Sequence, residues 1–160
     1  MSAKIDKTRL RAELLAEVTA QLETASAAHA AAIEGATHAE AKPENDKDTR
    51  GLEQSYLARG QAQRVADLEV AVAQLTALEL RVFTMGDPVA MSAVIAVDED
   101  GSEHRFFLAP HGGGSVLAGG IQVVTPSSPL GRSLLGKRID DEIEVKLPGK
   151  TRVLVITAIA

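Results

Sequence analysis

The chain has 160 residues, a net charge of −5, and 45% hydrophobic and 24% charged residues, ordinary values for one globular domain or two small ones. Three Phe, one Tyr and no Trp exclude an aromatic platform for stacking bases, and the acidic balance argues against a free-standing DNA binder. The absence of cysteine excludes disulfides, thiolate metal sites and thiol nucleophiles together.

The first residues, MSAKIDKTRLRAELL, contain no apolar signal region. No later stretch approaches the roughly 18 uninterrupted apolar residues of a membrane span, so a soluble, cytoplasmic chain is expected. Residues 1–82 hold 19 Ala but only 3 Gly and 1 Pro, whereas residues 83–160 hold 10 Gly and 5 Pro. Alanine favours helix, and Gly and Pro punctuate turns, so two domains are expected, 1–82 helical and 83–160 built of short strands.

In the first half Leu15, Val18, Leu22, Ala25, His29 and Ala32 follow the 3,4 spacing of a coiled-coil seam. Val65, Leu68, Val72 and Leu75 repeat it, and Val82 continues it one heptad further. A polar tip at about residues 36–51, containing Pro43, interrupts the pattern. Two helices around such a break predict an antiparallel hairpin whose second helix runs directly into the next domain. Arms of roughly 30 residues would reach about 45 Å, more than a small core needs.

In the second half MSAVIAV (91–97) and HRFFLA (104–109) flank the turn DEDGS and predict a hairpin. IQVV (121–124) is a third strand after a Gly-rich stretch. Pro129 opens a short helix, PLGRSLLG, that Gly136 ends. EIEVKL (142–147) alternates cleanly and TRVLVITAI (151–159) closes the chain. The sum is an α+β protein, a helical hairpin followed by a small antiparallel sheet with one short helix.

The candidate chemistry is sparse. The tip carries Glu40, Glu44, Asp46 and Asp48, opposed nearby only by Lys42 and Lys47. Such carboxylates could complete a partner's magnesium site, or they are simply a solvated loop and an acidic first turn of helix two. His111-Gly112-Gly113-Gly114 is similar to an esterase oxyanion loop, but the required G-x-S-x-G elbow is missing, so a turn is expected. His29 on the seam reads as a hydrogen-bonded core residue. His38, His104 and His111 lack metal-ligand spacing. No self-sufficient active site emerges.

Ser127-Ser128-Pro129-Leu130-Gly131-Arg132-Ser133-Leu134-Leu135-Gly136-Lys137 resembles the C-terminal signature of the GreA/GreB transcription elongation factors, of the form S-P-x-A/G-R/K-x-L-L/I-G/K-K. Asp140 and Asp141, the alternating strand Ile143 to Leu147, and Pro148-Gly149 continue the likeness. At the tip, Glu44-Asn45-Asp46 resembles the family's D-x-x-E-N-A-D/E-Y.

The resemblance implies that the C-terminal domain is FKBP-like and docks on the rim of the secondary channel of bacterial RNA polymerase, with Ser128, Pro129, Leu130 and Arg132 in contact. It also implies that the coiled coil enters the channel, where tip carboxylates, Glu44 foremost, help the polymerase hold a second magnesium ion for cleavage of backtracked RNA. Cleavage would then be the polymerase's own, and nucleic acid would be met only within the elongation complex. Ala41 stands where the family has Asp, Asp46 replaces its Ala and Asp48 its Tyr, while Pro43 stiffens the turn. These departures leave two functions open, a cleavage factor and a regulator that binds or inhibits without cleaving. From other classes come a peptidyl-prolyl isomerase-like enzyme, short of pocket aromatics, and a coiled-coil scaffold that dimerises. A monomer is expected for the polymerase factor.

Overall fold

The computed structural model describes residues 4–40 and 50–160. The Ala-rich segments form helices α1 (Lys7–Glu40) and α2 (Arg50–Thr76). Among the described residues no helix is long and apolar enough to cross a membrane. α1 runs through Gly35, since one glycine weakens a helix by only about 1 kcal/mol against Ala. The helices therefore extend into both margins of the expected tip.

The chain divides into two compact units, Ala16–Ala73 and a second that joins residues up to Leu15 with Gln74–Ala160. In the first unit Val18, Ala25, Ala32 and Leu68 are buried on the expected seam, while Leu22 and Val65 are only half-buried. His29 Nδ1 lies 3.1 Å from the Ala58 carbonyl oxygen of the opposite arm, the role expected of a seam histidine.

The second unit carries strands β1 (Val94–Glu99), β2 (Ser102–Leu108), β3 (Val116–Leu117), β4 (Ile121–Val124), β5 (Glu142–Leu147) and β6 (Lys150–Ile159), with helix α3 (Pro129–Leu134) between β4 and β5. The sheet order is β3-β4-β2-β1-β6-β5. One expectation fails here. The sheet is mixed rather than antiparallel, because β4 pairs with β2 in parallel, Phe106 to Gln122 through Leu108 to Val124. The Gly-rich stretch brings the chain back to the level of Phe106, so β4 runs alongside the second half of β2 in the same direction.

The β1–β2 turn is Asp100-Gly101, both with positive φ (51° and 83°), as a tight hairpin following the strand twist requires. At the other hairpin Pro148 precedes Gly149 (φ 78°), the residue order of a type II turn. Ile95, Val97, Phe106, Leu108, Leu134, Ile143, Val145, Leu154 and Ile156 form the main core beneath α3.

Val94 and its partner Phe107 point to the opposite face and are also buried. The helix ends supply apolar groups to this unit, and Leu10, Leu14, Leu75 and Leu78 are all buried. Gly112 admits Leu14, whose Cδ1 would lie 2.4 Å from any Cβ placed there.

Two further expectations are corrected. α2 stops at Thr76, and Val82 is 87% exposed, outside any helix. Beyond Leu78 the backbone is drawn to the sheet: the Arg81 N–H donates to Ser92 Oγ (2.9 Å), and Phe83 enters the core cluster. β1 also begins at Val94, not residue 91, because Ser92 turns the chain with φ 74° and donates its N–H to the Leu108 carbonyl.

Candidate functional site: the α3 helix and the groove beside it

Six residues of helix are too few to persist on propensity, so α3 is held by its ends. Ser128 is the N-cap. Its Oγ accepts from the Gly131 N–H (3.0 Å) and donates to the Thr125 carbonyl (2.8 Å). Pro129 occupies the first helical turn, where its fixed φ suits the helix and its missing N–H leaves nothing unpaired.

At the other end Gly136 has φ 78°, and its N–H donates to the Val89 carbonyl while the Val89 N–H returns to Lys137. Gly131 is the tightest point. A Cβ there would lie 1.8 Å from the Thr125 carbonyl oxygen, so only glycine lets the helix seat against the end of β4.

This clamped helix presents its residues unequally. Pro129 and Arg132 are exposed, and Arg132 stands in the last turn. Leu130 is half-buried and packs on the core, and Ser128 is occupied by the cap. A groove of about 430 Å³ runs beside them, walled by Ser127, Pro129, Leu130, Val145, Leu147 and Arg152. The Arg152 guanidinium is held by Glu99 at 2.7 Å, and that pairing keeps the Glu99 carboxyl below its ordinary range. Of the four residues singled out from the sequence, Pro129, Leu130 and Arg132 fall on this helix and Ser128 caps it, and Ser128, Pro129 and Leu130 border the groove. Glycine at 131 and the Thr125 carbonyl, which set its position, were not singled out; a Gly inside a capped helix was the available signal.

The acidic tip is a different matter. Glu40 ends α1, while Glu44, Asp46 and Asp48 lie outside the described residues. Among the described residues no three His, Cys, Asp or Glu side chains gather as a metal site would require. His111 Nε2 bonds to Gln74 Oε1, and its glycines form a turn. Phe106 and Phe107 are buried in the sheet, so they cannot line an isomerase pocket.

Residues 85–160 match the family Transcription elongation factor, GreA/GreB, C-term. Over 98% of both chains, the sequence is 26% identical to Transcription elongation factor GreA of Sphingopyxis alaskensis. It is 35% identical to the protein of that name from Mesorhizobium japonicum over 91 residues, 56% of this chain and 55% of that one. Among solved structures, GreA factor homolog 1 (Gfh1) of Thermus thermophilus aligns over 91% of this chain and 94% of its own, with 18% identity and a TM-score of 0.41. The matched segment holds the whole of α3 with its cap and groove, and the full-length relative carries the likeness through both helices. The chain is thus similar to the GreA/GreB transcription elongation factors, by family model over residues 85–160 and by sequence over nearly its whole length.

Proposed function

We propose that the chain regulates transcript elongation by docking α3 and its groove on the rim of the polymerase's secondary channel and inserting the hairpin into that channel. The likeness to GreA/GreB factors supports a polymerase-binding elongation regulator that acts through the polymerase's own chemistry. The observation that carries the finer reading is the rigid presentation of Pro129, Leu130 and Arg132 by a helix clamped at both ends. A preorganised surface binds without an ordering penalty.

At the tip, Glu44, Asp46 and Asp48 bring the hard oxygen donors that magnesium takes, and Ala41 brings none. The metal would be shared with the polymerase, and when bound it lowers the pKa of a coordinated water. With the family's Asp replaced at position 41, the reading we favour is binding with weak or no stimulation of cleavage.

The test is a titration of the whole chain against purified RNA polymerase in a stalled, backtracked complex with labelled RNA. Arg132→Glu, at an exposed position, should weaken binding about tenfold and leave the melting temperature unchanged. Unchanged binding would remove α3 from the contact. No binding by the unaltered chain would overturn the function.

A further inference from the structure

A second cavity, of about 560 Å³, lies in the sheet unit away from α3 and takes no part in the proposed docking. Its floor is the outer face of β1 and β6. Val97 pairs with Ile156 but Ala96 pairs with Ala158, so β6 carries a bulge at Thr157 that turns Ala158 onto the same face as Ala96. Two alanines stand where a sheet usually has branched side chains, and the missing volume is the cavity. Its walls are Ile5, Leu80, Val82 and Phe83, with Val82 87% exposed. A cavity of this size with apolar walls suits a small molecule.

Charge gives the ligand its sign. Among side chains, the cavity is lined by Lys4, Lys7, Arg81 and Arg105 against one acid, Glu103, a side-chain balance of +3 in a chain of −5. Glu103 is already paired with Arg105 at 2.8 Å. Lys7 and Arg81 both stand over the Phe83 ring, 4.7 and 4.9 Å from its centroid. Lys7 donates to the carbonyls of Arg81 and Ala160, which leaves one of its three ammonium protons unassigned. Burial first and Arg81 second hold the Lys7 pKa down to about 8, as expected of a partly buried ammonium beside a second cation.

We propose that this cavity binds a small organic anion with an apolar body, its anionic group between Lys7 and Arg81 and its body over Ala96 and Ala158 beneath Val82. The anion would relieve the repulsion between the two cations, and its body would cover the exposed Val82.

The probe is decanoate, titrated calorimetrically into the full chain at low salt. One equivalent should bind, and decanol, with the same chain length but no charge, should bind about tenfold more weakly. Arg81→Gln should weaken decanoate binding about tenfold. It should also fold normally, because the hydrogen bonds at position 81 come from the backbone N–H and carbonyl, while the side chain stands over the Phe83 ring. Ala158→Phe, at an exposed position, should fill the floor and abolish binding at an unchanged melting temperature. The proposal is overturned if decanoate does not bind, if decanol binds equally, or if the folded Ala158→Phe chain binds like the unaltered one. Selective binding of an acidic peptide in place of decanoate would also overturn it, and would make the cavity a protein-docking site.

Discussion

Two glycines show how differently one residue type is used. At Gly131 an added methyl would collide with the Thr125 carbonyl oxygen at 1.8 Å, and neither backbone can yield without unseating α3. Gly131→Ala should therefore destabilise the chain by about 3 kcal/mol, read by urea denaturation. Gly60 lies inside α2 with nothing within 4 Å of an added Cβ. Gly60→Ala should stabilise by about 0.5–1 kcal/mol, since alanine loses less backbone freedom on entering a helix. Equal effects at the two sites would contradict the close approach at α3.

Lys7 gives a pH dependence with a definite sign. Its folded pKa of about 8 lies below the ordinary 10.5, so above pH 8 the folded chain releases a proton that the unfolded chain keeps. The unfolded state then binds more protons, and stability rises with pH across that window. Thermal melts should show the unaltered chain gaining stability relative to Lys7→Met between about pH 8 and 10.5. Parallel curves would mean that the ammonium is not penalised in the fold.

At the scale of elements, the hairpin seam separates positions that periodicity alone treats as equal. Leu75 is fully buried and Leu68 is 8% exposed, in different compact units. Leu75→Ala should cost about 4 kcal/mol and Leu68→Ala about 2–3, because a thin two-helix seam can close partly around the loss. Calorimetric melts of the two variants check the order.

Elements with a strong local signal were legible in the sequence. IQVV and EIEVKL became β4 and β5 with the expected bounds, and the Ser-Pro pair opened α3. What was not legible depends on distant partners. Val82 keeps the heptad rhythm, yet Ser92 takes the Arg81 N–H and Phe83 is drawn into the core, so tertiary contacts override the period. The parallel pairing of β4 with β2 follows from the path of the Gly-rich stretch, and the two residues of β3 are too few to show alternation. The α3 site was legible by resemblance and capping, but the cavity over Ala96 and Ala158 was not. It depends on a bulge that no local pattern announces.

At the scale of the whole molecule, the proposed function puts binding and chemistry on different segments of the chain and requires them to be separable. α3 would set affinity for the polymerase, and the tip would set what happens to the RNA. A second magnesium ion held by phosphate and one carboxylate binds weakly, and each further anionic oxygen raises its occupancy. Glu44 supplies one such group, whereas Ala41, in place of the family's Asp, supplies none. Glu40, Asp46 and Asp48 are the neighbouring carboxylates from which a second would have to come. The unaltered chain should therefore bind polymerase but cleave backtracked RNA slowly or not at all. Ala41→Asp should raise cleavage about tenfold or more without changing affinity, and Glu44→Ala should remove whatever activity is present. The measurement is the rate of RNA shortening in a backtracked complex saturated with factor, so that affinity drops out. Rapid cleavage by the unaltered chain that survives Glu44→Ala would mean that the tip carboxylates are not the metal-positioning groups, even with docking through α3 intact.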